Sequence, residues 1–204
     1  ANYKVLVEAG GYGAVQDNQL ISGGDASLSM SLLPLNNGPS VAAPIPTATN
    51  DEAFVLYSDT LTVDKPISFW SDNFFKAPTF LQIDIAGDNI AKFQIIPGGE
   101  NGGITGIQYG IQGGAVDVSS FTGLRFDLYL TSGITQTEFQ VIPSYGNSGV
   151  SDRLTRPTGQ WITVELPFSE LNREFDTSSL IMFSVQLWGT TSDSAYIDNI
   201  YFYR

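Results

Sequence analysis

Apolar and polar residues alternate with a period of two along most of this chain, and a period of 3.6 is almost absent. Leu124, Phe126, Leu128 and Leu130 alternate with Arg125, Asp127 and Tyr129. Ile162, Val164 and Leu166 alternate with Trp161, Thr163 and Glu165, and Ile181, Phe183, Val185 and Leu187 with Met182, Ser184, Gln186 and Trp188. Because successive side chains of a strand point to opposite faces, such runs read as half-buried strands. Further strands are expected at 3–8, 27–33, 53–58, 79–86, 90–96, 106–111, 137–142 and 195–203, separated by Gly, Pro, Asn, Asp and Ser clusters that supply turns. The one helical candidate, 167–175, is a turn or two long. Many short strands with almost no helix point to a β-sandwich or barrel.

One stretch breaks the pattern. Residues 36–50 read NNGPSVAAPIPTATN, three Pro and no bulky aromatic, which suits a linker or a long irregular crossover. The boundary is set at residue 42. Residues 1–42 form an N-terminal β-segment, either part of the sandwich or the remnant of a preceding module, and 43–204 form the main β-sandwich.

Composition narrows the chemistry. The 204 residues contain no His and no Cys, so Ser-His-Asp triads, histidine zinc sites, thiol nucleophiles and disulfide scaffolds are all excluded. Nine basic against 21 acidic residues leave a net charge of −12. With no basic stripe to release counterions, nucleic acid is an unsuitable partner. No apolar run reaches the roughly 18 residues of a membrane span. No charged and apolar leader opens the chain, so a mature or trimmed form is expected.

The strand faces opposite the apolar sets carry Arg125, Asp127, Tyr129, Glu138, Gln140, Trp161, Thr163, Glu165, Gln186 and Trp188. Read as one surface, these are planar and hydrogen-bonding side chains suited to sugar rings and their vicinal hydroxyls. An indole on a solvated sheet face exposes a large apolar area that needs a reason; packing under a loop or terminal segment is the other explanation. Glu138, Glu165 and Asp127 also invite a glycoside hydrolase reading, although Arg125 shares their face and no catalytic motif surrounds them. The Gly98–Gly103 run lacks the Lys and helix of a phosphate cradle.

From about Ala43 onward the chain resembles non-catalytic carbohydrate-binding modules of the jelly-roll β-sandwich type, found with family 16 glycoside hydrolases of the laminarinase kind and in bacterial surface glycan-binding proteins. The segments that carry the resemblance are APIPTATNDEAFVLYSDTL, LQIDIAGDNIAKFQ, ITGIQYGIQGGAVDVSSFTGLRFDLYLT, WITVELPFSEL and AYIDNIYFY, in that order. It implies an all-β, antiparallel sandwich that binds a polysaccharide without being an enzyme. It also implies a structural Ca²⁺ tying the start of the sandwich to its last strand, at Ser58, Asp59 and Asp198. Independently, Asp59 and Asp198 each interrupt an apolar or aromatic strand, where an unpaired carboxylate is costly and hard-oxygen coordination fits. A strand-end Asp capping a turn is the alternative.

Such modules bind on a sheet face or in the loops at one end. Loop candidates are Trp70, Asp72, Asn73, Phe74 and Phe75 in FWSDNFF, and Tyr145, Asn147, Arg153 and Arg156 in SYGNSGVSDRLTR. The ligand-binding set expected is Trp70 and Trp188 for stacking, then Tyr129, with Arg125 and Arg153 hydrogen-bonding and Tyr145 in the second loop. The ligand expected first is a neutral β-glucan such as laminarin, because the net charge repels polyanions. A sulfated or agar-type galactan, gripped by Arg125, Arg153 and Arg156, is the alternative, and a hydrolase using Glu138 and Glu165 a further one. An extracellular or cell-surface module of a larger enzyme or glycan-binding protein is the expected setting.

Overall fold

The computed structural model describes residues 2–7, 15–20, 38–70, 79–94, 104–189 and 193–204. The expected strand at 27–33, the loop residues 72–75 and the 98–103 glycine run lie outside the described residues. The chain divides into two compact units, 1–37 and 38–204. In the first, β1 (Asn2–Val7) and β2 (Val15–Leu20) pair antiparallel, with Asn2 opposite Leu20. Residues 38–42 belong with the second unit.

The second unit is an antiparallel β-sandwich of jelly-roll type. One sheet holds β3 (Ala53–Tyr57), β5 (Thr79–Ile85), β6 (Asp88–Gln94), β8 (Gly123–Leu130), β11 (Trp161–Pro167) and β13 (Ser194–Tyr203). Its order is β11-β8-β13-β6-β5, with β3 also pairing β13. The other holds β4 (Ile67–Trp70), β7 (Ile104–Ile111), β9 (Ile134–Pro143), β10 (Gly149–Val150) and β12 (Leu180–Gly189), in the order β10-β9-β12-β7-β4. From β7 to β13, apart from the β9–β10 step, the chain alternates between the sheets. The expected helix at 167–175 is a single 3-10 turn, Phe168–Glu170.

The alternating apolar positions meet between the sheets. Leu124, Phe126 and Leu128 from the six-stranded sheet and Phe139, Val185 and Leu187 from the five-stranded one are fully buried. Phe126 packs edge-on against Phe139 at 5.0 Å and tilted against Phe183 at 6.1 Å, joining the two layers. A cross-sheet aromatic contact of this kind contributes about 0.5–1.5 kcal/mol beyond its burial.

Strand β13 carries a bulge. Before it, residues 194–197 pair with β6, and after it, residues 200–203 pair with β3. Asn199, at φ 51°, takes the left-handed turn that absorbs the register shift, a conformation Asn tolerates better than most side chains.

Candidate functional site

The polar faces of the strands form two surfaces on opposite sides of the molecule, which corrects the expectation of one. Arg125, Asp127, Tyr129, Trp161, Thr163 and Glu165 lie on the outer face of the six-stranded sheet, in β8 and β11. Glu138, Gln140, Gln186 and Trp188 lie on the outer face of the five-stranded sheet, in β9 and β12. Alternation fixes which side of its own strand a residue takes, but not which sheet the strand joins. Glu138 and Glu165 are therefore divided by two sheets stacked about 10 Å apart, pointing away from each other. The hydrolase reading on that pair is overturned, since flanking carboxylates must sit roughly 5–9.5 Å apart.

The middle of the outer face of the six-stranded sheet is occupied by the protein itself, while Thr163 and Glu165 on β11 stay exposed. Residues 38–50, without regular structure, run across it as a strap. Trp161 Nε1 donates to Val41 O at 3.0 Å, Ala43 N to Asp88 Oδ2 at 2.9 Å, and Asn199 Nδ2 to Pro44 O at 2.9 Å. Gly38 lies so close to the Tyr196 ring that a Cβ there would overlap the hydroxyl. Beneath the strap, Tyr129 packs edge-on against Trp161 at 5.7 Å and against Tyr196 at 5.8 Å, and both tyrosines are buried. Arg125 is paired with Glu165, donates to Thr47 Oγ1 and Tyr201 Oη, and sits 4.9 Å over the Tyr203 ring. Trp161 is thus the indole packed against a loop, the strap. Tyr129 and Arg125, expected to bind ligand, are bound up in the strap and its supporting cluster.

Asp127 has both oxygens engaged, by Thr163 Oγ1 at 2.7 Å and Asn199 Nδ2 at 2.9 Å. Asp198, beside it in register, is 1% exposed, and its Oδ1 has no hydrogen-bond partner. Burial, reinforced by the Asp88 and Asp127 carboxylates, pushes the Asp198 pKa up to about 8. Burial also raises Asp127, though its hydrogen bonds to Thr163 and Asn199 oppose the shift. The other two expected metal ligands have partners nearby. Ser58 Oγ donates to Asn199 Oδ1 at 2.8 Å, and Asp59 Oδ2 accepts from the Asn89 amide and side chain at 2.7 and 3.0 Å. An unpartnered buried carboxylate oxygen fits a hard cation. Among the described residues, however, no three acidic side chains are gathered closely enough to hold one ready-made.

The outer face of the five-stranded sheet is different. Cross-strand register sets Trp188 opposite Gln136, Gln186 opposite Glu138, Ser184 opposite Gln140 and Met182 opposite Ile142. Gln136, Glu138, Gln140, Gln186 and Trp188 are all partly exposed, and among the described residues no strap crosses them. Arg153, from the segment after β10, stacks over the Trp188 ring at 3.8 Å and reaches Glu138 at 3.8 Å. Trp70 ends β4 opposite Gln108, on the cross-strand row that continues through Ser184 to Gln140. Tyr145 is 84% exposed in the turn after β9, but from Gln136 to Tyr145 the chain covers roughly 30 Å at about 3.3 Å per residue. Arg156 turns away, donating to Thr137 Oγ1 at 3.0 Å beside the Phe139 ring. The structure therefore joins Trp188 with Arg153, keeps Trp70 on the same sheet, and leaves Tyr145 at the far end. The contribution of Gln136 was missed, although its alternation with Thr137 places it with Glu138.

No family description and no curated protein matches the sequence. Solved structures do match. The family 11 carbohydrate-binding module of a cellulosomal cellulase of Clostridium thermocellum is 16% identical, with a TM-score of 0.51, over 77% of this chain and 96% of that one. A family 30 carbohydrate-binding module is 14% identical, with a TM-score of 0.52, over 74% of this chain and 97% of that one. An exo-β-agarase is 15% identical, with a TM-score of 0.52, over 73% of this chain but 24% of that one. At these identities the likeness establishes the fold, that of carbohydrate-binding β-sandwich modules. Among the described residues no helix is long and apolar enough to cross a membrane.

Proposed function

We propose that this protein binds a polysaccharide, without catalysis, on the outer face of its five-stranded sheet. The observation that carries this reading is the contrast between the two outer faces. On one, the strap takes the indole hydrogen bond of Trp161 over the buried Tyr129 and Tyr196, leaving only Thr163 and Glu165 exposed on β11. The other presents a partly exposed indole among glutamines and a glutamate in cross-strand register, where amide and carboxylate groups suit vicinal hydroxyls and the ring suits pyranose C–H faces. A neutral β-glucan such as laminarin remains the first ligand, supported by the net charge of −12 and by the likeness to a module of a cellulase. A sulfated or agar-type galactan is the second reading, favoured by the likeness to part of an exo-β-agarase.

Affinity electrophoresis in gels containing laminarin, mixed-linkage glucan or agarose tests the reading. Retardation in a glucan gel, lost roughly tenfold or more in Trp188→Ala, supports it. Unchanged retardation in a folded Trp188→Ala protein places binding elsewhere, and retardation in agarose alone selects the galactan.

We also propose a structural Ca²⁺ near Asp198, with Ser58 and Asp59 at the facing strand end and Asp88 and Asp127 as the nearest further carboxylates. The unpartnered Asp198 oxygen supports it. An extracellular or cell-surface setting, as one module of a larger protein, accords with a glycan ligand and completes the proposal.

A further inference from the structure

Arg153 is held from both sides. The Ser151 amide donates to Phe139 O at 2.9 Å, and Thr137 and Leu154 exchange backbone hydrogen bonds at 2.9 and 3.0 Å. Between these anchors the side chain reaches back over β9 to the Trp188 ring, with Cζ 3.8 Å from the centroid. That is van der Waals contact with the ring face, too close for an edge approach. Its Nη2 lies 3.8 Å from Glu138 Oε2, and the other Glu138 oxygen accepts from Gln140 Nε2 at 3.3 Å. The side chain of Arg153 is 48% exposed and that of Glu138 16%.

Side chains rise roughly perpendicular to a sheet, so an indole in β12 has one side toward β9 and one toward β7. Arg153 arrives from the β9 side and takes it. A guanidinium placed to grip an anion would not have a carboxylate beside it, since Glu138 would repel the same anion. We infer that Arg153 is a positioning and specificity-determining residue. It holds Trp188 as a platform for a pyranose ring, and its charge is answered by Glu138, so the face takes neutral glycans rather than sulfated or uronate-bearing ones. This inference rests on the glycan-binding reading above.

The test uses the full chain, laminarin- and agarose-derived hexasaccharides, and a sulfated galactan oligosaccharide of the same length. Calorimetric titration is run at low and high salt on wild type, Trp188→Ala, Arg153→Ala, Arg153→Lys and Arg153→Gln. Because Arg153 is half exposed, each variant's melting curve serves as the folding control. Loss of neutral-sugar binding in Trp188→Ala identifies the face. On that face, Arg153→Ala and Arg153→Lys are each expected to weaken binding about tenfold. Arg153→Gln, whose planar amide can still stack, recovers most of it, and salt changes none of these affinities appreciably. Wild-type affinity in Arg153→Lys, tighter binding in Arg153→Ala, or salt-sensitive preference for the sulfated oligosaccharide overturns the role given to Arg153. Unchanged binding in Trp188→Ala overturns the glycan face itself, and the role of Arg153 with it.

Discussion

The indole nitrogen of Trp161 donates a 3.0 Å hydrogen bond to the carbonyl of Val41, joining positions 120 residues apart. This contact fastens the strap to the six-stranded sheet, over the buried Tyr129 and Tyr196, and occupies the indole of a surface that resembles a sugar platform. Trp161→Phe keeps the ring and loses the bond, at an expected cost of about 0.5–1.5 kcal/mol. Trp161→Ala also removes the partly buried ring that packs on Tyr129, and about 2–4 kcal/mol is expected. Urea unfolding measures both. Neither change is expected to alter glycan affinity, and a tenfold loss in a folded Trp161→Phe protein would return the binding site to this face.

Gly38→Ala probes the start of the strap, three residues before Val41. The added Cβ collides with the buried Tyr196 hydroxyl, so strap or ring must shift, at about 1–3 kcal/mol. A lower urea midpoint with an unchanged slope is expected.

Asn199 separates backbone from side-chain effects. Its Nδ2 serves both Pro44 O and Asp127 Oδ2, and its backbone is left-handed. Asn199→Ala loses these bonds and keeps the conformational strain, for an expected loss of about 2–4 kcal/mol. Asn199→Gly loses the same bonds without the strain and should be about 1 kcal/mol more stable than the alanine variant. Equal stabilities would show that the left-handed turn is not strained by a side chain here.

Asp198 is expected to make stability depend on pH, and on the proposed Ca²⁺, in opposite ways. Its pKa is raised to about 8 in the folded protein against roughly 3.9 in an unfolded chain. Between those values the native state holds the extra proton, so stability falls as pH rises and the contribution is lost through about pH 8. In chelator, the melting temperature should therefore decline from pH 5 to pH 9. Asp198→Asn, which mimics the protonated acid, should flatten that decline. Added Ca²⁺ should restore stability at pH 8 to the wild type through mass action and leave Asp198→Asn unmoved. A melting temperature indifferent to Ca²⁺ in both proteins rules out the ion.

Much of the fold was legible because period-two alternation is a local property. The runs at 124–130, 162–166 and 181–188 became β8, β11 and β12 with their apolar sets inward, apart from Ile181, which is partly exposed beside a bulge. Other elements escaped: β2 (VQDNQL) is polar through its middle, and β4 and the two-residue β10 carry too few alternating positions to stand out. Trp188 was legible as an outward indole and Arg153 as a loop cation. Their stacking was not, because it depends on the segment after β10 folding back along β9.

The sequence by itself determined that the chain builds strands, which side chains share a strand face, and that no histidine or thiol chemistry is possible. The tertiary structure decided which strands lie together, and so divided Tyr129, Arg125 and Trp161 from Glu138, Gln186 and Trp188. It also decided which surface stays open, since residues 38–50 have no periodicity and hold their place through long-range bonds such as Trp161 to Val41 and Asn199 to Pro44. Alternation is written between neighbours in the chain. The pairing of strands and the path of a strap depend on contacts between residues tens to more than a hundred positions apart, which a local pattern does not encode.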